Sequence, residues 1–319
     1  SYAFILFCLA IVSCEAYEAP APITNESLEK ISRITADLET EPMDAAIHED
    51  AADDPAIFVH PTNPDSSLII GTQKNKGLKV YSLDGTLVSE VDCGRVNNVD
   101  IRQDVHIGNW RGNLVGSSNR SGNLISLHSL SLQGDLNPLV DIQTSLNEVY
   151  GFCLGIVDSS VYAYINDKDG RIQEYKLLEE DGKFSGQLSR SFEVPSQPEG
   201  MVVDDQNMVL FVGEEAKGVW KFDLEPNASK QGYLLPNSTT DNNALIQADV
   251  EGLSLYADTD TTGYLVVSSQ GSYSYALFER NEPHSFLGAF RIVDSDALDG
   301  VEETDGLDVT PSYLGTKYP

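Results

Sequence analysis

Basic residues are scarce in this 319-residue chain: 20 Lys and Arg stand against 50 Asp and Glu, a formal net charge of −30. Such a surface repels nucleic acid and anionic membranes and favours cations. Histidine is scarcer still. The five at positions 48, 60, 106, 128 and 284 show no HxH or HxxxH spacing, so zinc is not expected. There is no Gly-x-Ser-x-Gly elbow and no P-loop. The Arg-His-Gly start of histidine phosphatases and the Cys-x5-Arg loop of cysteine phosphatases are missing too. Asp258-Thr-Asp260 and Asp294-Ser-Asp296 do not continue as EF-hand loops and read as surface turns. Cysteine is rare. Cys93 and Cys153 sit in apolar strand patterns and read as buried thiols rather than a disulfide.

Long apolar runs are also lacking. Ala3 to Val12 is too short to span a bilayer and reads as the core of a secretion signal. Ile11-Val12-Ser13-Cys14 has the form of a bacterial lipobox, which makes Cys14 a candidate lipidated residue. Simple secretion with later cleavage is the alternative, and both imply export from a bacterial cell. Residues 15–38, with Pro20, Pro22 and a polar run, read as a tether. After Leu38 no convincing amphipathic helix appears.

What is present is a repeat. A polar residue, a small residue and an apolar residue recur at Tyr150-Gly151-Phe152, Glu199-Gly200-Met201, Glu251-Gly252-Leu253 and Asp305-Gly306-Leu307, with looser cousins at Asp54-Pro55-Ala56 and Asn98-Val99-Asp100. The period is roughly 50 residues, which signals blades or repeats. About twenty residues into each unit comes an alternating run, a polar turn and a second run: 69–81, 114–127, 162–175, 209–222 and 264–278. The expectation is an all-β chain, a six-bladed β-propeller over residues 39–319 acting as a monomer. A β-sandwich is the structural alternative, but it does not account for six units of this length. Only 14 residues follow Asp305, so the last blade is expected to be incomplete in this sequence.

Equivalent strand starts of a propeller gather at one end of its channel. The first-strand markers are Asp53, Asp54, Asn98, Asp100, Tyr150, Glu199, Asp249, Glu251 and Asp305. Asp249 and Glu251, two apart, are expected on one face with Val250 on the other. The turns add Lys74, Arg120, Lys168 with Asp169, Glu214, Glu215 and Gln270. Blades one to three therefore bring cations and blades four to six mainly carboxylates. Cations suit phosphate oxygens. Crowded carboxylates suit Ca2+, which takes six to eight oxygen ligands. The inference is a calcium-filled cleft for a highly anionic substrate.

These residues resemble the β-propeller phytases, calcium-dependent enzymes that hydrolyse phytate. The resemblance rests on Asp53-Asp54-Pro-Ala-Ile, Asn97-Asn98-Val-Asp100-Ile-Arg102, Ser118-Asn119-Arg120-Ser121, Glu148-Val-Tyr150-Gly151-Phe152, Glu199-Gly-Met, Glu214-Glu215, Asp249-Val-Glu251-Gly-Leu, Ser268-Ser-Gln270-Gly271 and Thr304-Asp305-Gly306. It implies a cleavage site holding calcium ions through Glu39, Asp53, Glu199, Glu215, Glu251 and Asp305, with Tyr150 beside them. It implies phosphate binding by Lys74, Arg120 and Lys168, and further calcium contacts at Asp54, Asp100, Asp249, Gln270 and Asp299. Two features depart from the family: Asp169 stands where glutamate is common, and two extra residues lie between Glu39 and Asp53. The alternatives are a non-enzymatic calcium-binding surface propeller or another calcium propeller hydrolase such as a lactonase.

Overall fold

The computed structural model describes residues 31–40, 51–260 and 262–318. The signal and lipobox expected over 1–14, with Cys14, and residues 15–30 of the tether lie outside them.

Strand β1 (Ser32–Thr35) comes first. Blade one follows as β2 (Ala52–Phe58), β3 (Leu68–Gln73), β4 (Gly77–Ser82) and β5 (Leu87–Asp92). Blade two is β6 (Val96–Ile107), β7 (Trp110–Asn119), β8 (Leu124–Leu130) and β9 (Leu136–Gln143). Blade three is β10 (Val149–Val157), β11 (Ser160–Asp167), β12 (Arg171–Glu180) and β13 (Lys183–Glu193). Blade four is β14 (Pro198–Asp204), β15 (Val209–Glu214), β16 (Gly218–Asp223) and β17 (Tyr233–Leu234). Blade five is β18 (Val250–Tyr256), β19 (Tyr264–Ser269), β20 (Ser274–Glu279) and β21 (Phe286–Val293). Each sheet is an antiparallel meander taken in chain order, and β1 adds to blade five parallel to β21. The five hairpins expected from alternating runs are β3–β4, β7–β8, β11–β12, β15–β16 and β19–β20.

The strand period of two explains how blades stack. In β15, Leu210 and Val212 pack with blade three, while Val209 and Phe211 pack with blade five. Four such apolar clusters fill the four contacts between consecutive blades, from Phe58 and Val99 at the first to Phe211 and Leu253 at the last. Burial on both faces is why these strands read as near-continuous apolar runs.

Two expectations change. Among the described residues there are five sheets, not six. Residues 301–318 carry no strand, yet they occupy the sixth position beside the channel. The Asp305 carbonyl accepts from Gly252 N–H (3.3 Å), and the Asp308 carboxylate takes Ile57 N–H (2.8 Å) and Ser254 Oγ–H (2.7 Å). One extended segment thus bridges β18 and β2 where an incomplete sixth blade was expected. Secondly, Ser32–Thr35 falls within the expected tether but pairs with Phe290–Val293 as a solvent-exposed edge strand. Cys93 and Cys153 are free thiols, half-buried and buried.

Candidate metal and phosphate site at the channel mouth

One local irregularity builds the mouth. In all five inner strands the register slips at the same place: between 52 and 55, 96 and 99, 149 and 152, 198 and 201, and 250 and 253. The bulged pairs are Asp53-Asp54, Asn97-Asn98, Tyr150-Gly151, Glu199-Gly200 and Glu251-Gly252. A bulge re-aims a side chain that simple alternation would place elsewhere. Val250 enters the core of blade five, and Glu251 joins the acids of blade four. Glycine in the second position has a steric reason. A Cβ on Gly151 would lie 1.8 Å from the Glu199 carbonyl oxygen, and one on Gly200 would lie 2.2 Å from that of Glu251. The bulges of neighbouring blades interlock through bare backbone.

A second set comes from the residue after each blade's second strand. Its N–H returns to the carbonyl of the residue two before the bulge: Lys74 to Ala51, Arg120 to Arg95, Lys168 to Glu148, Glu215 to Gln197 and Gln270 to Asp249, all at 2.6–3.3 Å. That shared bond holds Lys74, Arg120, Lys168, Glu215 and Gln270 at the rim.

The two sets meet. Lys74 Nζ lies 3.0 Å from Asp53 Oδ2 and 3.5 Å from Asp305 Oδ2, and Gln270 Nε2 donates to Asp305 Oδ1 (2.7 Å). Arg120 Nη1 donates to Asn97 Oδ1 (3.1 Å), and Asn97 Nδ2 donates to Glu199 Oε1 (2.6 Å). Lys168 Nζ stands 4.5 Å above the centre of the Tyr150 ring, with the Arg120 guanidinium at 5.4 Å. Glu199, Glu215 and Glu251 each present a carboxylate oxygen within 4.8 Å of the others. Gln197 Nε2 fixes Glu215 Oε1 at 2.5 Å.

This crowding is electrostatically costly. Burial, and then the charges of Glu199 and Asp305, raise Asp53 well above the carboxylate range against the opposing pull of Lys74. Burial and the hydrogen bond and charge of Glu251 do the same to Glu199. Burial, with the charges of Glu215, Asp305 and Asp249, pushes Glu251 up to about 7 despite its hydrogen bond with Glu199. Burial raises Glu215, helped by Asp249. Burial followed by Glu199 and Glu251 also raises the Tyr150 hydroxyl. Among the described residues, Asp53 Oδ1 and Glu251 Oε2 are buried without a hydrogen-bond partner. An all-oxygen set with orphaned buried acceptors fits a hard divalent cation.

Other expected site residues lie elsewhere. Asp54 is the second residue of its bulge and turns below the mouth, where Oδ2 accepts Val99 N–H (2.9 Å). Asp100 sits deeper still, paired with Arg102 (2.9 Å) and capping Leu154 N–H (2.8 Å), so its carboxylate is already satisfied. Asp249 is half-buried at the rim, close enough to raise Glu251. Asp299 is exposed in the loop after β21. Glu39 is exposed, and its carbonyl packs against Gly85 in the β4–β5 turn, at the end of blade one remote from the mouth. The structure therefore does not bring Glu39 to the cluster. Asp169 is exposed and accepts from Asn147 Nδ2 (3.2 Å). Conversely, the sequence markers Asn98 and Asp100 miss Asn97, which the bulge brings to the mouth. Counting from the bulge, rather than by alternation, would have found it.

The Phytase family model matches residues 3–319. The chain is 37% identical over 319 residues to the 3-phytase of Bacillus subtilis (strain 168), an alignment covering 97% of this chain and 82% of that protein.

Proposed function

The chain belongs to the phytase family, and from that premise we propose that it hydrolyses phosphomonoesters of myo-inositol hexakisphosphate with calcium held at the channel mouth. The observation that carries this reading is that three basic groups and the crowded acids share one mouth, joined through Asn97. Phytate is densely anionic, and acids alone would repel it.

Asp53, Glu199, Glu215, Glu251 and Asp305 would hold the metal, with Asp249 and Gln270 supporting at the rim. Bound calcium would supply charge neutralisation, polarisation of a phosphate oxygen and acidification of water. The chain's own groups do the rest. Lys74, Arg120 and Lys168 orient phosphate oxygens through charge-assisted hydrogen bonds. The Tyr150 ring forms the wall against which Arg120 and Lys168 are set. Glu251 keeps its Oε2 buried and turned toward this acidic set, and the proton that an attacking water loses passes to the crowded carboxylates of the mouth. The apolar run Ala3 to Val12 supports export as the setting.

The test is phosphate release from phytate, a simple phosphomonoester and a lactone, with chelator and with calcium restored. Release from phytate that EDTA abolishes and calcium restores is expected. Activity that survives chelation rejects the metal, and lactone turnover without phosphate release rejects the substrate.

A further inference from the structure

Three arginines of this protein use one edge of the guanidinium, the Nε and Nη2 fork, to take a carboxylate with two parallel bonds. Arg190 holds Glu174 this way (3.0 and 2.7 Å), Arg280 holds Asp204 (2.6 and 2.6 Å) and Arg111 holds Asp104 (2.5 and 2.5 Å). Arg120 does not. Among the described residues its Nε is buried with no hydrogen-bond partner, and its Nη2 reaches only Glu148 Oε1, at 3.4 Å. The other end of the group is fixed by Asn97, so the fork is aimed and only half filled. The same Glu148 oxygen lies 3.5 Å from Lys168 Nζ. Glu148 stands just ahead of β10, and its side chain is 57% exposed, whereas that of Arg120 is 17% exposed. One oxygen of an exposed carboxylate thus touches two basic groups without satisfying either.

We propose that Glu148 is an internal stand-in for a substrate phosphate: it rests on Arg120 and Lys168 in the ligand-free protein, yields to a phosphoryl group, and competes for both cations when product leaves. This rests on the proposed phosphate-binding role of Arg120 and Lys168. A phosphate offers two oxygens to the open fork, which one carboxylate oxygen at 3.4 Å does not. The exposed Glu148 pairs are weak enough to be displaced. Glu148 would therefore lower phosphate affinity and speed release, trading tighter binding for turnover.

The experiment titrates inorganic phosphate calorimetrically into the calcium-loaded protein; phosphate is the product of the proposed reaction, so the titration reads binding without turnover. Glu148→Gln should tighten phosphate binding about three- to tenfold, and Glu148→Asp should fall between it and the wild type. In an Arg120→Gln background the gain from Glu148→Gln should shrink. With phytate, Glu148→Gln should also show stronger inhibition by added phosphate. Unchanged or weaker phosphate binding in Glu148→Gln, or binding in neither protein, overturns the proposal. Failure of the phytase reading shows separately, as wild-type protein that releases no phosphate from phytate with calcium present.

Discussion

Asn97 donates from Nδ2 to Glu199 Oε1 at 2.6 Å while its Oδ1 accepts from Arg120. One buried amide therefore ties the acidic half of the mouth to the basic half. Losing it leaves Arg120 Nη1 and Glu199 without that partner. A hydrogen bond to a charged group contributes about 1.5–3 kcal/mol. Asn97→Ala should lower kcat/KM for phytate by about tenfold to a hundredfold. Steady-state phosphate release measures it, and wild-type kinetics would show that Asn97 orients nothing.

Crowded acids make the metal-free protein sensitive to pH in an unusual direction. Glu251 titrates near 4.5 when unfolded and about 7 when folded. Between those values the folded state holds more protons, so stability falls as pH rises through the window. The loss from Glu251 alone is on the order of 3 kcal/mol, and Asp53 and Glu199 are shifted the same way. In EDTA, Tm should drop between pH 5 and 7.5, and Glu251→Gln should flatten that slope. Millimolar calcium should raise Tm most at the upper end, because it binds the ionised folded form. A metal-free Tm that climbs over this range would contradict the crowding argument.

Far from the mouth, Arg280 and Asp204 form a buried two-bond pair at 2.6 Å, with side chains 2% and 1% exposed, joining blade five to the end of β14. Arg280→Ala strands the Asp204 charge and should cost about 3–5 kcal/mol. Thermal melts should show this, while KM for phytate in the remaining folded protein stays unchanged. A large change in KM would mean that this end of the channel communicates with the mouth.

The blades were legible because each inner strand is buried on both faces and each hairpin alternates around a polar turn. The rim residues Lys74, Arg120, Lys168, Glu215 and Gln270 were legible because they follow those turns at one fixed place. What alternation could not show was the bulge. It moves Asn97 to the mouth and leaves Asp54 and Asp100 on backbone amides deeper in the channel. Glu39 misled for another reason: it is joined to blade one through a stretch without repeat pattern, and nothing local says at which end of the blade it docks. The sixth unit's marker Asp305-Gly306 keeps the contacts of an inner segment, and among the described residues no sheet forms around it.

The interlocked bulges give the most direct check on this geometry. A methyl group on Gly200 would sit 2.2 Å from the Glu251 carbonyl oxygen and 2.8 Å from the Gly252 Cα, both backbone atoms that no rotamer change can move. Gly200→Ala must therefore push blade five's bulge away and carry the Glu251 side chain with it. Overpacking of this kind costs about 1–3 kcal/mol, and a displacement near 1 Å at a catalytic group costs about a hundredfold in rate. Gly182→Ala is the control: its φ of +77° is strained for alanine, but nothing lies within 4 Å of the added methyl. It should lower stability by about 1 kcal/mol, read as a modest drop in Tm, and leave phosphate release intact. If both variants lose stability equally and keep full activity, the bulges do not position the acids.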